Sequence, residues 1–258
     1  MKPSANMSIT HELPAPVSVI GVPVHPWTMR QTVNAIEQAI DEGGFTQHVV
    51  VNAAKMANLS IDPALRQAVT VCDIINADGM GVVWAARLLG KPLPERVAGI
   101  DLFEQLLGLA EARQWPVYLL GATEPSNEAC AAEVARRFPA LPIAGRHHGY
   151  FWDEEDAQVQ RIRASGAKLL FVAITSPKKE QFIDRWQAEL GVNFAMGVGG
   201  TFDVWAGKVR RAPHWMQTNG LEWAWRAGQE PRRVLRRSLV TNARFLGLVA
   251  RHWRQGGE

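Results

Sequence analysis

Residues 72–102, CDIINADGMGVVWAARLLGKPLPERVAGIDL, decide how the chain is read. A short apolar run ends in Asn76-Ala77-Asp78-Gly79 and passes straight into a helical pattern that begins at Met80. An aspartate before a helix is an ordinary N-cap, because its carboxylate accepts a free backbone N–H of the first turn. An aspartate at the carboxyl end of a buried parallel strand also stands where α/β sheets hold their ligands. There it can act as a base, and Arg96 downstream would suit an anionic ligand. The rest of the chain has to choose between the two.

Outward from that stretch, apolar runs alternate with helical patterns. Strands are expected at 17–24, 48–53, 73–77, 116–122, 168–174 and 192–199, with a weaker one at 141–149. Helices are expected near 28–42, 62–72, 80–90, 101–113, 126–138, 154–165 and 177–190. Strands apolar on both faces and separated by helices imply an α/β fold: a mostly parallel, Rossmann-like sheet with helices on both faces. A helical appendage follows at the C-terminus. The expected division is a loose tail at 1–15, an α/β catalytic core at 16–206 and a basic helical appendage at 207–258.

The composition, 47% hydrophobic and 21% charged over 258 residues, is that of an ordinary globular protein. Cys72 and Cys130 lack metal-ligand spacing and read as buried thiols of a reducing compartment. The first 15 residues carry no apolar h-region, and no run reaches the roughly 18–20 apolar residues of a membrane span. A cytoplasmic protein is expected. The net charge of +3 hides an asymmetry: from Gly207 onward eleven Lys and Arg face three acids, a net of +8, leaving −5 for the remainder. A basic module on a mildly acidic body seeks an anionic partner.

Residues just past the strand ends carry the polar chemistry: Asn52, Asp78-Gly79, Gly121-Ala122-Thr123, TSPKKE (175–180) and GVGGTFD (197–203). GVGGTFD fails as a dinucleotide fingerprint, since Phe202 occupies the third glycine position and the acid follows at once. A tight turn is the bland reading of its glycines. LLGATEPS lacks the Gly-Lys-Ser/Thr of a P-loop. His147 and His148, neighbours on an extended segment, are expected to point to opposite faces and not to chelate, so no catalytic metal is expected.

Asn52, NADG (76–79), ERVAGIDL (95–102), GYF (149–151), SPKKE (176–180), GVGGTFDVWAG (197–207) and GLEWAWRAGQEPRR (220–233) occur in this order. Together they resemble the WecG/TagA/CpsF glycosyltransferase family (glycosyltransferase family 26) over about residues 17 to 250. The resemblance implies an inverting, metal-independent, UDP-sugar-dependent hexosyltransferase with no further cofactor. Such an enzyme moves a sugar onto an undecaprenyl-diphosphate-linked saccharide, at the inner face of the bacterial membrane, in surface-polysaccharide or cell-wall polymer biosynthesis. It makes Asp78 the general base, with Arg96 and Asn52 in the same pocket. Tyr150 would lie beside the uracil, and Asp203 would recognise the nucleoside. Gly199, Gly200 and Lys179 join that UDP site, and Arg226, Arg233 and Arg236 would meet the diphosphate. Val50 and Lys179 stand where better-known members carry threonine and glutamine, so the resemblance does not carry the donor sugar over.

The residue chemistry agrees. Inverting transfer needs one base and cations for the departing diphosphate, whereas glycosidases need two opposed carboxylates. Arginine forks suit a diphosphate. A nucleotide-binding α/β oxidoreductase is the alternative. On a helical wheel Leu235, Leu239, Leu246, Val249 and Trp253 share one sector, with Phe245 widening it, and Arg233, Arg236, Arg237, Arg244, Arg251 and Arg254 share another. Five of the ten tryptophans fall after residue 204. An anionic membrane surface suits such a helix, and packing on the core suits its apolar face equally. Nucleic acid is not expected, because the core offers no base-reading element. A homo-oligomer stays open.

Overall fold

The computed structural model describes residues 13–218, 221–229 and 231–255; several side chains between 214 and 239 lie outside the described ones. An antiparallel hairpin, β1 (Val17–Val19) and β2 (Val22–Val24), comes first. The single strand expected over 17–24 is therefore broken in two. Ile20 and Gly21 take φ of 53° and 69°, the two left-handed positions of a tight hairpin turn. An isoleucine at the turn hides it inside an apolar run.

The chain continues through α1 (Met29–Asp41), β3 (Thr46–Val51), α2 (Ala53–Leu59), α3 (Pro63–Thr70), β4 (Ile74–Ala77), α4 (Met80–Leu88) and α5 (Gly99–Arg113). Then come β5 (Val117–Gly121), α6 (Glu124–Arg137), β6 (Ile143–His147), α7 (Glu155–Ala164), β7 (Leu169–Ala173), α8 (Lys178–Trp186), β8 (Phe194–Gly197) and α9 (Thr201–Trp205). The appendage holds α10 (His214–Thr218), α11 (Glu222–Gln229) and α12 (Pro231–Arg254). Helix α2 was not expected: it starts directly on Asn52, which caps it through a side-chain bond to Lys55 N.

Six strands form one sheet in the order β4-β3-β8-β7-β5-β6, every neighbour parallel. The period of two along each strand divides the core. Leu119, Phe171 and Met196 face α1, α5 and α6, where Ile36, Phe103, Leu106 and Val134 complete a buried cluster. Leu120, Val172 and Ala195 face the opposite layer with Ile162, Phe182 and Leu190. A third cluster, on β3 and β4, joins Val49, Val51 and Ile75 to Met56, Val82, Phe245 and Val249. All six strands therefore end at one edge, and the loops after them form a single row.

Cys72 and Cys130 are free and buried, and burial pushes both thiols up to about 12. They are inert packing groups.

Candidate active site

At one end of the row, β4 delivers Asp78. Its amide donates to Val51 O at 2.9 Å, so the residue is fixed to the neighbouring strand β3. The N-cap of α4 is Gly79, with no side-chain cap bond. Asp78 does act as a cap, but of another helix: its Oδ1 accepts from Gly99 N, the first residue of α5, at 3.0 Å. The second oxygen takes no hydrogen bond from a described residue. Asn52 stands beside it, since a Cβ on Gly79 would lie 3.5 Å from Asn52 Cβ.

The segment between α4 and α5 brings Arg96 to this corner. Val97 N donates to Ala77 O at 2.8 Å and extends the edge of β4 by one rung. Glu95 accepts from Met29 N at the start of α1, pinning the preceding residue. The Arg96 guanidinium, mostly buried, pairs with Glu222 of α11 at 2.7 Å and lies 4.0 Å from Asp101 of α5. Asp101 in turn holds Arg211 at 2.6 Å. A charge network thus ties the core to the appendage beside Asp78.

The middle of the row is built on β7 and β8. Lys179 is 6% exposed and its stem crosses Gly197, where a Cβ would meet Lys179 Cε at 2.6 Å. Its ammonium donates to Ser176 Oγ at 2.7 Å and sits 3.1 Å from Glu180 Oε1, which also takes Lys55 at 2.8 Å. Burial, reinforced by Lys55, lowers Lys179 to about 8. For Glu180 burial alone would raise the carboxyl, but Lys55 and Lys179 outweigh it and hold it at about 2. Two lysines around one glutamate leave a net positive charge under the strand ends. Gly199, with φ of 55°, and Gly200 make the turn into α9.

At the far end, β5 closes with Gly121 and Ala122, both at positive φ, and Thr123 caps α6. Gly121 is obligatory, because a Cβ would fall 2.5 Å from Ala173 O. Gly149 N donates to Ala122 O, which brings the exposed ring of Tyr150 to this turn; His148 Nδ1 accepts from Tyr150 N. The rings of His147 and His148 do not diverge as expected: their centroids are 4.3 Å apart, because the strand has ended at His147 and His148 is free to turn back. Among the described residues no group of three or more His, Cys, Asp or Glu could hold a metal ion. Asp203, on α9, reaches the same place: its Oδ1 accepts from Ser126 Oγ at 2.8 Å.

The expected residues therefore fall in two groups on one row, Asn52, Asp78 and Arg96 at one end and Tyr150 and Asp203 at the other, with Lys179, Gly199 and Gly200 between. The side chains of Arg226, Arg233 and Arg236 lie outside the described ones; their backbone belongs to α11 and α12. Sequence reasoning missed Glu222, Asp101, Lys55, Glu180, Ser126 and Lys208, whose partners are up to 126 residues away.

The wheel for the last helix also needs correction. Phe245 and Val249 are buried against α2 and β3, whereas Leu246 and Trp253 are 65% and 60% exposed. Leu235 and Leu239 lie outside the described side chains. The apolar sector is thus shared between core and surface. Among the described residues no helix is long and apolar enough to cross a membrane.

The strand ends of the parallel sheet thus carry two held carboxylates, Asp78 and Asp203, a partnered arginine and an aromatic-lined turn on one row. Residues 17–258 match the model of the "Glycosyl transferase WecG/TagA/CpsF family". The chain belongs to that family and is a glycosyltransferase. It is also 35% identical over 193 residues, 75% of this chain and 74% of the relative, to the N-acetylglucosaminyldiphosphoundecaprenol N-acetyl-beta-D-mannosaminyltransferase of Bacillus spizizenii.

Proposed function

We propose that the protein transfers a sugar, with inversion, from a UDP-sugar to an undecaprenyl-diphosphate-linked saccharide in cell-wall or surface-polysaccharide synthesis. The relative's printed name supplies the acceptor class, N-acetylglucosamine on undecaprenyl diphosphate, and an N-acetylmannosaminyl group as the sugar that relative moves. The observation that carries the reading is the two-ended row, with Asp78 at one end and the Tyr150–Asp203 turn at the other. Four strand spacings of about 4.8 Å separate β4 from β5, about 19 Å, which suits an extended nucleotide diphosphate-sugar.

In this account uracil lies against Tyr150 and the nucleoside bonds Asp203. The diphosphate crosses Gly199, Gly200 and the remaining N–H of Lys179, and the sugar reaches Asn52. Asp78 takes the proton from the acceptor hydroxyl as that oxygen bonds to the anomeric carbon. The bond to the UDP oxygen breaks on the opposite side, and the charge on the departing UDP is met by Arg96 and by Arg226, Arg233 and Arg236. Arginines, not a divalent ion, carry that neutralisation, and no cofactor is needed. Core (16–206) and appendage (207–258) then share one site. The exposed Leu246 and Trp253 and the basic sector of Arg244, Arg251 and Arg254 rest on an anionic membrane surface, where the acceptor lies. Membership of a transferase family decides against the oxidoreductase alternative.

A melting-temperature panel tests the nucleotide. UDP at 100 times its dissociation constant should add about 2.7 kcal/mol of stability, and NAD(P) should add none. Indifference to every uridine nucleotide contradicts the reading.

A further inference from the structure

Two charges of the core and two of the appendage meet at the Asp78 corner, and they pair across the boundary instead of within it. Arg96 and Asp101 stand on one short segment, the one whose Gly99 N–H holds Asp78, and Arg96 Nη2 lies 4.0 Å from Asp101 Oδ2. Arg96 nevertheless donates from Nη1 to Glu222 Oε2 of α11 at 2.7 Å. Asp101 is taken by Arg211, which follows α9 and precedes α10. Arg211 Nη1 reaches Oδ1 at 2.6 Å and Nη2 reaches Oδ2 at 2.8 Å, so both carboxylate oxygens lie in one guanidinium fork, a strong charge-assisted geometry.

The Arg211 fork matters because Arg96 has a second anion within easy reach. Asp101 lies in the first turn of α5, where the helix N-terminus favours its charged form. Without Arg211 that carboxylate is left unpartnered 4.0 Å from a mostly buried guanidinium, and a shift of about 1 Å closes the gap to a hydrogen bond. Arg96 would then be clamped between Glu222 and Asp101. Held by Glu222 alone, a group with five N–H donors keeps donors for an incoming anion.

We infer that Arg211 is a positioning residue: by holding Asp101 in its fork it keeps that carboxylate off Arg96 and leaves the Arg96 guanidinium to the donor's diphosphate. The inference rests on the UDP reading above and adds a residue that acts through another. The charges give the same sign. Arg96 and Arg211 balance Asp101 and Glu222. Removing Arg211 alone leaves an excess of negative charge beside the anion's place, and removing Asp101 with it restores the balance. A residue that met the diphosphate directly could not be compensated in this way.

Titration calorimetry with UDP beside uridine tests this, because uridine shares the base and ribose and lacks the diphosphate. Arg211→Met should weaken UDP about tenfold and leave uridine unchanged. Arg211→Lys, which keeps a cation for Asp101, should retain most of the UDP affinity. Asp101→Asn should bind UDP at least as tightly as the wild type. Combined with Arg211→Met it should bring UDP affinity back to within about threefold of the wild type. Where Arg211→Met fails to fold, Arg211→Gln takes its place in the same pair of measurements. A loss that Asp101→Asn does not repair means that Arg211 acts by a contact of its own, and overturns the inference. UDP binding unchanged in an Arg211→Met protein that melts like the wild type overturns it, and so does a loss shared equally by uridine. A wild type that binds UDP no more tightly than uridine overturns it as well. A wild type that binds neither overturns the UDP reading itself, and the positioning role with it.

Discussion

Asp78 and Asp203 are held by the same device, and the proposed reaction sets them different tasks. Each has Oδ1 engaged by one donor, Gly99 N for Asp78 and Ser126 Oγ for Asp203, and the other oxygen of each takes no hydrogen bond from a described residue. Their surroundings differ. Around Asp203 stand Ser126 and Thr123 of α6's first turn and Lys208, which precedes α10, so this end is formed without the helices of the appendage. At the Asp78 corner Arg96 is tied to Glu222 of α11, so that corner is complete only when the appendage is docked. The carboxylate proposed to recognise the nucleoside is finished without α10, α11 or α12. In the proposed reaction the base, Asp78, would then be completed only by the helices that are proposed to meet the membrane.

The largest effects should come from breaking this asymmetry at the Asp78 end. Asp78→Asn keeps an oxygen for Gly99 N but cannot take a proton. Turnover should fall by roughly 10² to 10⁴ while the melting temperature barely moves. Near-normal turnover would reduce Asp78 to a helix cap. Docking of the appendage is tested by Phe245→Ala, which opens a cavity between α12 and the core. A loss of about 3–5 kcal/mol in urea unfolding is expected. Under 1 kcal/mol would mean that α12 rests on the core without this anchor. The same burial argues against a simple truncation at residue 220, which would strip Phe245 and Val249 from their cluster along with the arginines.

A third test concerns the ground beneath the Asp78 end. His48, wholly buried on β3, donates from Nε2 to Asn76 Oδ1 at 3.0 Å. Burial lowers it from 6.5 to about 4, the Asn76 bond opposes this, and nearby Lys55 and His25 lower it further. Between those values the unfolded chain binds the proton and the folded one does not. Stability therefore falls as pH is lowered from 6.5 through 4, by about 3 kcal/mol in full. His48→Gln should remove that part of the pH dependence; an unchanged profile would place it on other groups. Glu180, held at about 2 instead of 4.5, titrates in a separate window below pH 4.5.

The smallest effect belongs to the surface. Charge reversal at Arg244, Arg251 and Arg254 should weaken binding to anionic vesicles by about 1 kcal/mol per removed charge, more at low salt. Transfer to a short-chain soluble acceptor should be spared. Unchanged vesicle partition would mean that these arginines serve the protein alone.

Much of this frame is visible in the sequence, for a local reason. Strands such as LLFVA (169–173) are apolar at every position because both faces are covered, and the helices between them cap on Thr28, Asp62 and Thr123. The polar residues at the strand ends can therefore be placed on one edge from the sequence itself. What could not be read is pairing at a distance. Asp78 finds Gly99 21 residues on, past the whole of α4, Ser126 finds Asp203 77 residues on, and Arg96 finds Glu222 126 residues on. Nothing in a local pattern encodes such partners. The division of α12 between core and surface was hidden likewise, since Phe245 and Leu246 are equally apolar and only the packing of α2 separates them.

The central claim is that recognition and chemistry occupy opposite ends of the row. Calorimetric UDP affinity of Tyr150→Ala beside Asp78→Asn tests it most directly. Tyr150→Ala should lose about 1–3 kcal/mol of UDP binding through lost stacking, and Asp78→Asn should bind UDP as the wild type does. Tight UDP binding by Tyr150→Ala together with weak binding by Asp78→Asn would place the nucleotide at the wrong end and contradict the account.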